Sequence, residues 1–429
     1  MKAQLLAITI LFFFASKCFG QANCTAIPTG FSPINDLGTG TFTTAWNQTW
    51  TGGLYINGSN HMPVSHKAVG RQIAQTVLPL DASGNVDMTN GKIVWLSIGM
   101  SNTTSETRQF IPLANAYANK NPKLTLVDGA QGGMSADKIS SPWMSQYSTY
   151  WSTVATRLSS EGVTASQVEV IWFKEANPAG SMTIHSYYDS LLVQFTRIMH
   201  EIKTRFPNAK LCYMASRIAA RYASSTLNPE PFSYYTGWAV REIIQRQING
   251  DPSLTFSGSN IVSPFLLWGI YMWSDGDTPQ ASNPNIFINC PADLANDGTH
   301  PSQPVGAAKV ANWLLSFYQN DTLSCPWFFN SPPAFCGTTI GVNETSSPEN
   351  SIFIYPNPFS IKTTLWTSSQ LKNATLTVIN VFGQIVAQME NISGQTIVIN
   401  RDHLANGLYF VLLTEDSKQI EMKKIIITN

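Results

Sequence analysis

The chain has 429 residues, enough for two domains or for one large domain with an appendage. Its 26 basic and 26 acidic side chains cancel, so it lacks the basic excess of a nucleic-acid binder. Only 12% of residues are charged while 43% are hydrophobic and 11% aromatic, which excludes a disordered chain and predicts a well-packed globular one.

Residues 1–20 read as a secretory leader. Lys2 gives the positive start, 5–14 is the apolar core, and Cys18-Phe19-Gly20 sets small residues before a cleavage point after Gly20, or after Ala22. The apolar run is shorter than the ~20 residues of a membrane span, and Lys17 spoils a lipoprotein box. No other segment is apolar enough to span, so the mature protein is expected to carry no transmembrane segment. Cys18 leaves with the leader, while Cys24, Cys212, Cys290, Cys325 and Cys336 stay in an oxidising compartment where pairing is expected. An odd number leaves one thiol free. Cys325 and Cys336, bracketing a short Pro- and Phe-rich loop, are the first candidate pair.

Residues 23–91 carry no motif that assigns them a role. His61 and His66 lie five apart in a Pro-containing segment, a spacing that suits neither a helical metal face nor His-Glu-x-x-His. No Cys-x-x-Cys, phosphate loop or Gly-x-Gly-x-x-Gly after a strand occurs, so no metal and no cofactor is expected.

From residue 92 onward, strands and helices alternate. Residues 92–98, 124–127 and 168–173 are continuous apolar runs of the kind that form parallel strands covered on both faces. Residues 187–206 place Leu191, Leu192, Phe195, Ile198, Met199, Ile202 and Phe206 at helical steps, and 305–318 do the same with Ala308, Val310, Trp313, Leu314 and Phe317. This alternation predicts a parallel α/β sheet whose site lies at the carboxyl ends of its strands. The segments just past each strand are therefore the informative ones.

After the first strand comes Gly99-Met100-Ser101-Asn102 and a helix from about Thr103, so a serine stands at a helix N-terminus. Such a serine is ordinarily only a cap. After the second comes Asp128-Gly129-Ala130-Gln131-Gly132-Gly133-Met134-Ser135, where glycine allows a backbone N–H to approach a ligand. After the third comes Lys174-Glu175-Ala176-Asn177-Pro178. Arg217 follows an apparent strand at 210–215, and Tyr234-Tyr235 lies beyond it; both are candidates for the cleft wall. Trp268, Tyr271 and Trp273 cluster in 266–277 beside Asp and Ser, a composition that can hold sugar rings but is more often core. Asp297-Gly298-Thr299-His300-Pro301 precedes the helix at 305–318, with a carboxylate placed to orient the imidazole.

In this order, the four segments resemble the four blocks of the SGNH (GDSL-type) hydrolase family, over about residues 92–318. The resemblance implies a three-layer α/β fold with a parallel sheet. It implies Ser101 as nucleophile, His300 as its base and Asp297 as the orienting acid. It further implies an oxyanion hole built from the N–H groups of Ser101 and Gly133 and the amide of Asn177, with Gly132 the alternative register for Gly133. Ser135, in Gly133-Met134-Ser135-Ala136, is a competing nucleophile. Two departures stand out: Met100 replaces the family's acidic residue and Asn102 its leucine, and the third block lacks the family's Gly and Asp. The implied reaction is ester hydrolysis, with deacetylation of a carbohydrate as the leading expectation. A lipase or phospholipase and a non-catalytic glycan-binding surface protein are the alternatives. Low overall charge suggests a neutral substrate recognised through aromatic and hydrogen-bonding contacts.

Residues 336–351 are polar and rich in Ser, Thr, Asn and Gly, as a linker would be. Beyond them, 375–381, 395–399, 408–414 and 422–428 are short β-branched runs separated by turn residues such as Asn406-Gly407, which suits a small all-β sandwich. Tyr355-Pro356-Asn357-Pro358-Phe359, Val381-Phe382-Gly383, Leu404-Ala405-Asn406-Gly407-Leu408-Tyr409-Phe410 and Lys423-Lys424 resemble the C-terminal sorting domain of type IX secretion, type A. That resemblance covers 352–429 and implies engagement of the secretion machinery, with export through the periplasm and across the outer membrane to the surface or medium. The expected organisation is thus a leader (1–20), an SGNH-like domain (23–335), a linker (336–351) and a sorting domain (352–429).

Overall fold

The computed structural model describes residues 22–337, 352–380, 384–415 and 418–428. The expected leader, most of the expected linker, and Val381-Phe382-Gly383 lie outside the described residues. The chain divides into two compact units, 1–337 and 338–429.

In the first unit, helix α1 (Ile34–Leu37) leads into a short antiparallel pair, β1 (Thr41–Thr43) and β2 (Thr49–Thr51), and then α2 (Val64–Gln75). The body is built from β3 (Ile93–Gly99), α3 (Ser101–Asn115), β4 (Leu124–Asp128), α4 (Ala136–Ser140), α5 (Ser145–Ser160), β5 (Val168–Lys174) and α6 (Ile184–Arg205). It continues with β6 (Leu211–Met214), α7 (Phe232–Ile248), β7 (Phe265–Trp268) and α8 (Val305–Asn320). The five strands β3 to β7 form one sheet in the order β4-β3-β5-β6-β7, with every neighbouring pair parallel.

Every residue of β3 and β5 is buried, because helices cover both faces of the sheet. Alternation divides the strand side chains between two cores. Val94, Leu96, Ile98, Ile171 and Phe173 pack with α5, α6 and α7. Ile93, Trp95, Val170 and Trp172 pack with α2, α3 and α8. The apolar stripe of α6 behaves as its spacing predicts: Leu191, Phe195, Ile198, Met199 and Ile202 are all buried, and the helix opens on Thr183, which accepts from the Ser186 N–H. The fold is therefore a three-layer α/β structure.

The sheet order places a crevice. From β3 the chain passes to β4 on one side, then to β5 on the other, and connections that diverge in this way leave a gap at the carboxyl ends of the strands. The segments after β3, β4 and β5 meet there. Two disulfides are present, Cys24–Cys290 and Cys325–Cys336, and the remaining described cysteine, Cys212, is free and buried.

The second unit is a five-stranded antiparallel sheet of β8 (Ile352–Tyr355), β9 (Lys362–Asn380), β10 (Ile385–Asn400), β11 (Gly407–Glu415) and β12 (Lys418–Ile427). The long β9–β10 ribbon has register shifts between Met389 and Thr396, which bend it. Leu365, Leu376, Ile397, Val411, Leu413 and Ile425 then share one core. The side chain of Asn357 pins the Tyr-Pro-Asn-Pro-Phe turn to β12, donating to the Lys424 carbonyl and accepting from the Ile426 N–H.

Beside the crevice, the last residue of β5, Lys174, donates to both carboxylate oxygens of Glu106 on α3 at 2.7 Å. Both side chains are sealed from solvent. Burial acts to lower the Lys174 ammonium while Glu106 opposes it. Lys174→Met leaves a buried carboxylate with no counter-ion and is expected to cost about 3–5 kcal/mol in urea unfolding. Adding Glu106→Met should recover most of that loss; a double variant as unstable as the single would show that the pair is not the unit that matters.

Candidate functional site

The first residue of α3 is Ser101, two positions earlier than the sequence suggests, and Met100, in extended conformation, is the N-cap. The Ser101 hydroxyl therefore caps nothing. It lies 2.6 Å from Nε2 of His300, and Nδ1 of the same ring is 2.5 Å from Asp297 Oδ2. With Asp297 accepting from Nδ1–H, Nε2 is left to accept from the serine. The other carboxylate oxygen of Asp297 accepts the backbone N–H groups of Thr299 and His300. Burial acts to raise the Asp297 carboxyl, but the His300 and Thr299 donors outweigh it and hold it below the ordinary carboxylate value. Asp297 is thus an anion matched to an imidazole, and such a relay can withdraw a proton from a hydroxyl.

The turn that carries this pair is tightly made. Gly298 has φ +65°, and a Cβ there would collide with the Tyr222 carbonyl. The Thr299 carbonyl accepts from Asn102 Nδ2 at 3.0 Å and from Arg217 Nη2 at 3.1 Å. Asn102, which in the sequence is only a departure from the family pattern, thus links the start of α3 to the histidine turn. Nothing in its sequence context signals that role.

Past β4, Asp128 accepts from Ser97 and Thr104 and pairs with Arg157 and Arg108. Burial raises its carboxyl, with those donors opposing. The following loop is held against β3 by the Gln131 N–H, which donates to the Gly99 carbonyl. Gly133 has φ +75° with open space beside it, and its carbonyl accepts from Lys138 at 2.7 Å. Ser135 donates to Asp137 rather than to a histidine, so it lacks the partner that a nucleophile needs.

Past β5, the Asn177 amide is fixed at both ends: Oδ1 accepts the Asp137 N–H and Nδ2 donates to Gln194. Its neighbour Glu175 is fully buried, which pushes its carboxyl well above the ordinary range. Ser101, Gly133, Asn177, Arg217 and His300 all line one pocket of about 110 Å³, and Gly132 does not.

The aromatic residues expected to hold sugar lie elsewhere. Trp268 donates to the Leu54 carbonyl, the Tyr271 hydroxyl accepts from the Ile34 N–H, and Trp273 donates to Glu230. All three are buried, and none lines the Ser101 pocket. Strand β7 is an edge strand, separated from β3 by β5 and β6. Trp268 and Tyr271 instead border a separate hollow of about 510 Å³. Tyr234 and Tyr235 are likewise buried in α7, packed against Phe42. Packing of this kind explains the aromatic content of the N-terminal segment. Arg217 does line the pocket, but its Nε and Nη2 are used inside the protein, on Asn228 and Thr299. His66 is a core residue that stacks on Phe265 and bonds the Leu266 carbonyl.

Residues 353–428 match the family of secretion system C-terminal sorting domains. The tail implies export across the outer membrane, to the cell surface or beyond it. No curated protein matches the chain. Among solved structures, the chain is similar to a candidate acylhydrolase from Bacteroides fragilis, at 13% identity over 61% of this chain and 100% of that one, with a TM-score of 0.31. A gut microbial diltiazem-metabolizing enzyme shares 13% identity over 74% of this chain and 72% of its own, TM-score 0.32. An immunoglobulin-like β-sandwich protein from Bacteroides vulgatus shares 13% identity over 19% of this chain and 95% of its own, TM-score 0.15. Each likeness is too distant to say what this chain does. Among the described residues, no helix is long and apolar enough to cross a membrane.

Gly133 offers a direct check on the loop after β4. Gly133→Ala forces a left-handed alanine, a strain of about 1–2 kcal/mol, whereas Gly132, whose φ is not positive, tolerates the same change. Thermal unfolding of the two variants should separate them; equal midpoints would mean that the loop is not held in this conformation.

Proposed function

We propose that the chain is an exported serine hydrolase of the SGNH type that cleaves small acyl esters, most of all the O-acetyl groups of a carbohydrate. The observation that carries this reading is the continuous relay from Ser101 through His300 to Asp297, with contacts of 2.6 and 2.5 Å. His300 takes the proton as Ser101 Oγ attacks the ester carbonyl, and Asp297 stabilises the imidazolium. The oxyanion meets the N–H groups of Ser101 and Gly133 and the second Nδ2 hydrogen of Asn177. That amide is already oriented by Asp137 and Gln194, so little reorganisation is needed as charge develops. His300 then protonates the leaving alcohol, and water resolves the acyl-enzyme by the reverse proton path.

Pocket size favours a short acyl group. About 110 Å³ beside Ser101 accommodates an acetyl readily and a fatty chain poorly, which weighs against a lipase. In this reading residues 23–335 are the hydrolase, 336–351 the linker, and 352–429 a type A sorting domain that meets the secretion machinery after the leader at 1–20 is removed.

Ser101→Ala is expected to abolish hydrolysis of p-nitrophenyl acetate and labelling by a fluorophosphonate, while Asn177→Ala lowers turnover by ~100-fold or more. Activity should fall from acetate to butyrate to longer esters. A Ser101→Ala protein as active as the parent would overturn the assignment, and a folded parent that neither labels nor turns over would point to a glycan-binding role.

A further inference from the structure

Arg217 sits in the catalytic pocket as a buried cation without a counter-ion. It is 2% exposed. Its Nε donates to Asn228 Oδ1 at 3.1 Å, and Nη2 donates to the carbonyl and hydroxyl of Thr299 at 3.1 and 2.6 Å. All three acceptors are neutral. Nη1 has no partner among the described residues, yet it is not one of the sealed orphan atoms and so keeps contact with solvent. The Ser101 pocket is the hollow that Arg217 lines.

A fully buried arginine is ordinarily paired, since a guanidinium withdrawn from water without a carboxylate is costly. Lys174, a second buried cation nearby, follows that rule with Glu106. The carboxylates whose field reaches Arg217 are Glu106, Glu230, Asp297 and Glu175. Burial pushes the Glu175 carboxyl well above the ordinary range, toward its neutral form, and the other three are engaged elsewhere. Glu106 holds Lys174, Asp297 holds His300, and Glu230 accepts from Ala220, Tyr234 and Trp273. The pocket lining contains a second cation, Lys138, and no Asp or Glu. Arg217 and Lys138 are thus cationic side chains on a wall that carries no carboxylate of its own.

We infer that Arg217 Nη1 anchors a carboxylate on the substrate, so that the ester cleaved at Ser101 belongs to an acidic sugar, an O-acylated hexuronic acid. The inference rests on the hydrolase reading above and replaces the neutral substrate that composition suggests. An Nη1 hydrogen can give a carboxylate oxygen one charge-assisted hydrogen bond, and the fixed Nε and Nη2 contacts hold the guanidinium in place before substrate arrives. The same contacts tether the turn that carries His300, so that loss of the side chain also disturbs the relay. A ratio of substrates separates the two effects.

The test is acetate release by the full chain from an O-acetylated hexuronic acid glycoside and from the same glycoside with its carboxylate converted to a carboxamide. The parent should favour the acid by about tenfold or more in kcat/KM, mainly through KM, as expected for one charge-assisted hydrogen bond. In Arg217→Gln the ratio should fall to near one, however far the absolute rates drop, and Arg217→Lys should retain part of it. Equal rates for acid and amide in the parent, or an acid preference that persists in Arg217→Gln, would overturn the anchor. Where Arg217→Gln does not fold, competition in the parent decides. Free hexuronate should inhibit p-nitrophenyl acetate hydrolysis about tenfold more strongly than hexuronamide, and equal inhibition counts against the anchor. Turnover of p-nitrophenyl acetate with neither glycoside cleaved also overturns it. A parent inert toward all three esters overturns the hydrolase reading itself.

Discussion

The carbonyl of Thr299 accepts from two sides, from Asn102 at the start of α3 and from Arg217 beyond β6, and the geometry of the site depends on that shared acceptor. Ser101, Asn177 and Gly133 lie two, three and five residues past the ends of β3, β5 and β4, so the sheet positions them. His300 has no such support. It lies in a stretch from 269 to 304 that contains no helix and no regular strand, and backbone geometry alone cannot place its ring against Ser101. Side-chain hydrogen bonds do so instead, and because Asn102 is the residue after Ser101, one of them references the histidine turn to α3 itself.

The same reasoning gives the N-terminal segment its purpose. Asp275 accepts from the Thr29 and Gly30 N–H groups, Asp36 accepts from Ala281 and Ser282, and Cys24 is bonded to Cys290. The irregular stretch before Asp297 is therefore tied down along its length by residues 24–36. A disulfide that closes so long a loop restricts the unfolded chain more than a short one would, and here it also ends only seven residues before Asp297.

What could be read in the sequence follows a physical division. Strands β3, β4 and β5 were legible because apolar runs covered on both faces are unambiguous, and the residues just past them were legible because a parallel sheet gathers its carboxyl ends. The pairing of Cys325 with Cys336 was legible from proximity. Contacts that depend on distant segments left no local trace. Asn102 looked like a departure from a pattern, Arg217 like a possible wall residue, and the Trp268–Trp273 cluster like a sugar platform. Aromatic side chains near Asp and Ser are the same letters whether they face a ligand or, as here, fill the space between β7 and an N-terminal segment more than 200 residues away. In the tail the reverse holds: Asn357 is a motif residue because it fastens its turn to β12, so the motif records a folding requirement and is visible as one.

Charge shows most clearly why an average over the chain misleads. A formal charge of zero describes long-range steering, which a balanced surface does not supply. Recognition inside a small cavity is decided by the few groups that line it. In that cavity water cannot screen effectively, so one guanidinium without a partner outweighs dozens of balanced charges at the surface. Lys174 has its counter-ion within the fold, whereas Arg217 is held by the neutral acceptors Asn228 and Thr299 and through them tethers the turn that carries His300. Both are buried cations close to the ends of adjacent strands, β5 and β6, and Glu106 on α3 forms its ion pair with the first of them.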